Sequence, residues 1–173
     1  NTKEKAHKPI IQSINGTTIS ILAYTTVGSP LWQAGEDYPG ITWMDASKLE
    51  QLKKDIAMAK HSADIIVVSF HFGEEYQTKP SATQQLLSRT AIDEGASLVV
   101  GHHPHVVQPI EQYKHGWIAY SLGNFVFDQG FSKETMEGMM LKVTVQENSI
   151  TKVMPLKVRI SKEFQPAISK ESM

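Results

Sequence analysis

Two continuous, largely apolar runs constrain this chain more than any other feature. Asp64-Ile65-Ile66-Val67-Val68-Ser69-Phe70 and Ser97-Leu98-Val99-Val100 are short and lack strict polar alternation, the pattern of strands buried on both faces of a parallel sheet. Between them Pro80-Ser81 opens a helix, with Leu86, Leu87, Thr90 and Ala91 as its inner face and Gly95 just past its end. Strand, helix and strand make a right-handed crossover, and in open α/β sheets the ligand crevice lies beyond the carboxyl ends of the strands. His71 follows the first strand, and Gly101-His102-His103-Pro104-His105 closes the second.

The flanking segments complete one α/β domain over residues 1–173. Asn15-Gly16 is a hairpin signal before the strand Thr18 to Tyr24, and residues 26–44, rich in Gly, Pro and aromatics, read as a long loop. Ser47-Lys48-Leu49-Glu50 fits a capping box, with Leu49, Leu52, Ile56 and Ala59 carrying a helix to about residue 61. Beyond residue 105, Val106-Val107 and Trp117 to Leu122 flank the Lys114-His115-Gly116 turn. Met139, Leu141, Val143 and Val145, then Leu156, Val158 and Ile160 after an Asn148-Ser149 turn, alternate as half-exposed antiparallel strands. Pro166 to Met173 reads as a loose tail.

Charge and cysteine content narrow the chemistry. Seventeen Lys+Arg against eighteen Asp+Glu leave a net charge of -1, so no broad basic field exists for a nucleic-acid backbone, and no nucleic-acid partner is expected. With no cysteine, disulfides, a cysteine nucleophile and thiolate metal sites are excluded, and any metal must bind nitrogen and oxygen. No apolar run reaches the roughly 18–20 residues of a membrane helix, so this chain is not expected to span the membrane. Residues 1–15 lack the order of a signal peptide, and the start at Asn1-Thr2-Lys3 without Met reads as a fragment or a processed product.

Four of the seven histidines, His71, His102, His103 and His105, fall at the ends of two neighbouring strands. Imidazole is the commonest metal ligand, and several His without Cys suit Zn, Mn or Fe. Proline disfavours the α region for His103, and an extended His-Pro-His would place His103 and His105 on one side of the chain, with His102 facing elsewhere. His71 could close a metal or anion site from the adjacent strand. Singly, each is as well read as a polar strand-end residue. Glu74 and Glu75, in the loop after His71, could supply a carboxylate ligand or an acid/base, or be solvated loop acids, and Tyr76 could line the same crevice.

The segments Val67 to Tyr76 (VVSFHFGEEY), Gly95 to Gln108 (GASLVVGHHPHVVQ) and Tyr120 to Asp128 (YSLGNFVFD) resemble the poly-γ-glutamate capsule biosynthesis family of the CapA type. That family belongs to the calcineurin-like metallophosphoesterase superfamily, and the resemblance covers about residues 10–145. It implies a four-layered α/β/β/α sandwich, of which this chain holds the C-terminal half, parallel βαβ followed by antiparallel strands. It also implies that His71, His103 and His105 are metal ligands for a divalent Mn, Zn or Fe ion. His102 is then the candidate catalytic proton donor, and Glu74 and Asn124 are candidate substrate-binding residues. For the Ser121-Leu122-Gly123-Asn124 block, a strand followed by a locally bonded turn is an equal reading.

The superfamily's Asp-x-His, Gly-Asp and Asn-His blocks do not occur here, so at most the histidine-rich half of a two-metal site is expected. The resemblance implies a component of capsule synthesis or export that hydrolyses or binds a pathway substrate. A non-catalytic polyanion-binding or scaffolding module of an export complex is the alternative. The implied partners are poly-γ-glutamate or its intermediates, other capsule synthesis membrane proteins and the upstream half of the domain. The implied location is extracytoplasmic, at the cell membrane, through an N-terminal anchor absent from this chain. A sheet face or edge left uncovered would favour association.

Overall fold

The computed structural model describes residues 2–169. Asn15 and Gly16, both with positive φ (49° and 84°), form the tight turn that matches strand twist in two-residue hairpins. They join β1 (Ile10–Ile14) to β2 (Thr17–Thr25) in antiparallel register. β2 then runs parallel to β3 (Ile65–His71), and β3 parallel to β4 (Leu98–His102). β5 (Ile110–Tyr113) and β6 (Gly116–Ala119) form a hairpin whose second strand lies parallel to β4. The order of the six-stranded sheet is β1-β2-β3-β4-β6-β5.

Helices cover one face of this sheet. α2 (Leu49–Lys60) and α3 (Ala82–Asp93) bury Leu52, Ile56, Ala59, Leu87, Ala91 and Ile92 against Leu22, Ile66, Val68, Phe70, Val99 and Ile118. A short helix α1 (Lys3–His7) is tied to α2 by a buried carboxylate. Asp55 Oδ2 lies 2.6 Å from His7 Nδ1 and accepts from the Tyr24 hydroxyl at 2.8 Å, while Oδ1 accepts from Gln51 Nε2 at 2.7 Å. Burial, with the Asp55 charge, pushes the Tyr24 phenol far above its ordinary range.

Two helix details depart from the sequence reading. The capping box at Ser47 does not form: Asp45 accepts from Ser47 N and starts a 3₁₀ turn over Ala46–Lys48, which runs into α2. Asp45 reaches the first open N–H groups before Ser47 can, because the turn begins two residues earlier. On α3, Leu86 is 44% exposed, and Gln84, Leu87, Ser88, Ala91 and Ile92 face the sheet. Gln84 completes a capping box with Ser81, and its amide donates to Gln108 Oε1 at 2.8 Å. That bonded amide is what rolls a polar residue inward in place of Leu86.

The second sheet has the order β7-β8-β9. β7 (Glu137–Gln146) and β8 (Ser149–Ile160) pair across a turn at Glu147 and Asn148, φ 48° and 59°, one residue before the expected position. Pro166–Ile168, expected in a loose tail, is instead β9, antiparallel to β8. Residues 170–173 of that tail lie outside the described residues. The two sheets meet at Gly123–Gly138 and at the hairpin tip, where Asn148 bonds Thr17 and Asp64. Helices, mixed six-stranded sheet and second sheet are three successive layers, α/β/β, of the α/β/β/α sandwich expected from the sequence.

Candidate metal centre

Parallel pairing sets the site. β3 and β4 are in register so that His71 stands opposite His102 at their carboxyl ends. β4 can approach β6 there because residue 101 is glycine. A Cβ at Gly101 would collide with the Tyr120 carbonyl oxygen and come 2.6 Å from the Phe72 ring.

After His102 the chain does not continue extended. His103 and His105 both have positive φ, 101° and 60°, so the two rings converge through a tight left-handed turn and not through an extended His-Pro-His. Such backbone is costly for side-chain-bearing residues and clusters at functional sites. The ring centroids of His103 and His105 are 5.9 Å apart, and those of His71 and His103 are 4.9 Å apart.

The carboxylate that joins them is Glu75. One ligand atom each from Glu75, His103 and His105 all lie within 4.8 Å of one another. His71 is outside that trio, packed against His103. Of the two loop acids named from the sequence, Glu74, the candidate substrate-binding residue, is exposed, and its backbone carbonyl accepts from Gln77 N at 3.5 Å. The turn that delivers Glu75 is anchored on both sides. Tyr76 N donates to Pro104 O at 2.8 Å, and the buried Gln108 amide donates to Gln77 O at 2.8 Å and Lys79 O at 3.2 Å.

His105 is the most enclosed in contacts. The Tyr76 and Phe127 ring centroids lie 6.1 and 5.0 Å from that of His105, and Phe131 meets Tyr76 edge-on at 5.1 Å. Asn124, 6% exposed, places its Oδ1 2.9 Å from His105 Nδ1. Its Nδ2 donates to the Thr135 carbonyl at 3.0 Å and to Gln129 Oε1 at 3.2 Å. Gln129 Nε2 in turn donates to the Tyr76 hydroxyl at 3.2 Å, so that oxygen is used as an acceptor and its own O–H remains a donor. Phe127 falls in the YSLGNFVFD block but has no role assigned there, and nothing in the sequence marks Gln129 or Phe131, since residues 125–131 carry neither helical nor strand period.

Burial lowers the pKa of His71, His102 and His103 below the ordinary imidazole value. The neighbouring imidazoles add to this at each, His105 at His71, and His71 at both His102 and His103, while Glu75 opposes it at His103. At neutral pH these rings are therefore neutral, the form that ligates metal. His102 is half-buried and stands outside the trio. As a neutral ring it accepts a proton more readily than it gives one, unless an anionic substrate raises its pKa.

The model for the family of bacterial capsule synthesis protein PGA_cap matches residues 1–129. The chain is 39% identical over 153 residues to the capsule biosynthesis protein CapA of Bacillus anthracis, covering 87% of this chain and 37% of that one. It is 36% identical over 162 residues to the PGA biosynthesis protein CapA of Bacillus subtilis strain 168, covering 94% and 42%. The chain thus spans 37% to 42% of the length of these relatives. Among solved structures, the sulfate thiohydrolase SoxB of Thermus thermophilus aligns with TM-score 0.55 at 12% identity over 85% of this chain and 24% of that one. A protein described as a 5′-nucleotidase from Staphylococcus aureus aligns with TM-score 0.54 at 17% identity over 95% and 30%. At those identities the likeness is one of fold.

Proposed function

The chain belongs to the family of bacterial capsule synthesis protein PGA_cap, and from that premise we propose that the whole protein serves synthesis or export of poly-γ-glutamate capsule. In this reading the present domain acts on, or holds, a pathway intermediate at a metal site. Residues 1–173 form the C-terminal part of one metallophosphoesterase-type domain, whose further ligands come from the sequence blocks this chain lacks. The whole protein works outside the cytoplasm at the membrane. No helix among the described residues is long and apolar enough to cross a membrane.

The convergence of Glu75, His103 and His105 carries the reading. Two imidazoles and a carboxylate are a donor set suited to Zn, Mn or Fe, with coordination positions left over for substrate and water. A divalent ion there supplies a Lewis acid for a phosphoryl or acyl oxygen and a water of lowered pKa. Glu75, His103 and His105 would hold it, with His71 packed behind His103. The Tyr76 O–H can donate to a substrate oxygen beside His105. In this reading His102, at the end of β4 opposite His71, exchanges a proton with substrate, and the exposed Glu74 helps to bind it.

Elemental analysis by plasma mass spectrometry, after dialysis against Zn and Mn, tests the site. Stoichiometric metal in the chain, lost in the His103→Ala/His105→Ala variant, is expected. Equal metal in both, or none in either the chain or a longer protein that includes the upstream blocks, overturns it.

A further inference from the structure

Asn124 belongs to the one motif that the metal reading leaves without a task, and its hydrogen bonds are directional. The Thr135 carbonyl is backbone and can only accept. It therefore demands the NH2 end of the Asn124 amide, and Gln129 Oε1 receives the second N–H. Flipping the amide would set Oδ1 against the Thr135 carbonyl oxygen, two acceptors in a buried place, at a cost of about 1–3 kcal/mol. Oδ1 is thereby held toward His105, 2.9 Å from Nδ1. An amide oxygen has no proton to give, so the proton in that bond sits on Nδ1.

We propose that Asn124 is a positioning residue that, locked by the Thr135 carbonyl and Gln129, fixes His105 as its Nδ1–H tautomer and so offers Nε2 to a divalent metal ion. The inference rests on the metal reading above and extends it to the residue that sets the ligand nitrogen. Metal-ligating histidines commonly donate their other N–H to such a partner, which orients the ring as well as selecting the tautomer. Here Tyr76 and Phe127 pack against the ring and Asn124 fixes its rotation. The strap that carries these groups is tied to itself, since Thr135 Oγ1 donates to Gln129 O at 2.6 Å. A relay of acceptor and donor thus runs from a backbone carbonyl to the nitrogen opposite it across the imidazole ring.

The test reads the tautomer directly, by nitrogen-15 NMR of the metal-free, histidine-labelled chain at about pH 8, where imidazole is neutral. His105 is assigned by its loss in His105→Ala. The expected wild-type signal is Nδ1–H, and an Nε2–H signal overturns the proposal without any variant. Asn124→Ala is expected to release His105 to a mixture of tautomers. Asn124→Asp keeps an acceptor oxygen toward Nδ1 and is expected to retain Nδ1–H, with a loss of stability because its second oxygen meets the Thr135 carbonyl. Titration with Zn should show affinity lower by roughly 10–100-fold in Asn124→Ala, with partial recovery in Asn124→Asp. Unchanged tautomer and unchanged Zn affinity in a folded Asn124→Ala overturn the role. An Nδ1–H ring that depends on Asn124, with no Zn bound either by this chain or by a longer protein that includes the upstream blocks, would uphold the positioning and sink the metal reading alone.

Discussion

At the scale of the residue, the site depends on a few side chains whose neighbours set their protonation. Glu75 is the exposed member of the trio, so Glu75→Gln changes charge with little loss of packing. Its removal is expected to weaken Zn or Mn binding by at least the ~10-fold that an orienting partner costs, measured by titration calorimetry. An unchanged affinity would take Glu75 out of the ligand set. The lowered pKa values of His71, His102 and His103 favour the neutral rings in the folded state. Their contribution to stability is therefore complete above the ordinary imidazole value of about 6.5 and is lost as pH falls through the lowered values. The urea midpoint of the metal-free chain should hold steady from about pH 8 to 7 and decline below about 6.5. A midpoint that does not move would mean that these rings are solvated alike in both states.

At the scale of the element, two contacts place the strand ends and the loop. Gly101 lets β4 press against the Tyr120 carbonyl and the Phe72 ring. Gly101→Ala should cost about 1–3 kcal/mol of stability through forced separation, seen in chemical denaturation, and should displace the histidines that follow. The Gln84–Gln108 amide pair links the start of α3 to the loop bearing Glu75, through Ser81 N, Gln77 O and Lys79 O. Gln84→Ala leaves buried partners unmet, at about 1–3 kcal/mol. Amide hydrogen exchange across residues 73–81 should quicken, and unchanged exchange there would show that the loop is held without the pair.

At the scale of the whole molecule, β1 is an edge strand with Ile10, Ile11 and Ile14 all exposed. Unpaired backbone beside apolar side chains invites pairing with another chain. Sedimentation velocity should show concentration-dependent association that Ile11→Lys with Ile14→Lys reduces. A monomer at all concentrations would show that the edge is protected. The second sheet is better covered: it buries Met139, Val153, Val158 and Ile160, and Met139 N donates to Leu122 O at 2.8 Å.

What the sequence determined is what local pattern can encode. The unbroken apolar runs at Ile65 and Leu98 dictated strands buried on two faces, the helix between them dictated parallel pairing, and parallel pairing put His71 beside His102. Asn15-Gly16 and Gly95 dictated turns because they tolerate positive φ. Tertiary structure decided the rest, because it turns on distances between residues far apart in the chain. Whether Glu74 or Glu75 met the histidines depended on a turn pinned by Pro104 and Gln108. The left-handed backbone at His103 and His105 overrode the extended preference before proline. Which face of α3 turned inward was settled by one amide finding another 24 residues away. The role of Asn124 required Thr135, Gln129 and His105 to be brought together, and no spacing in the sequence announces that meeting.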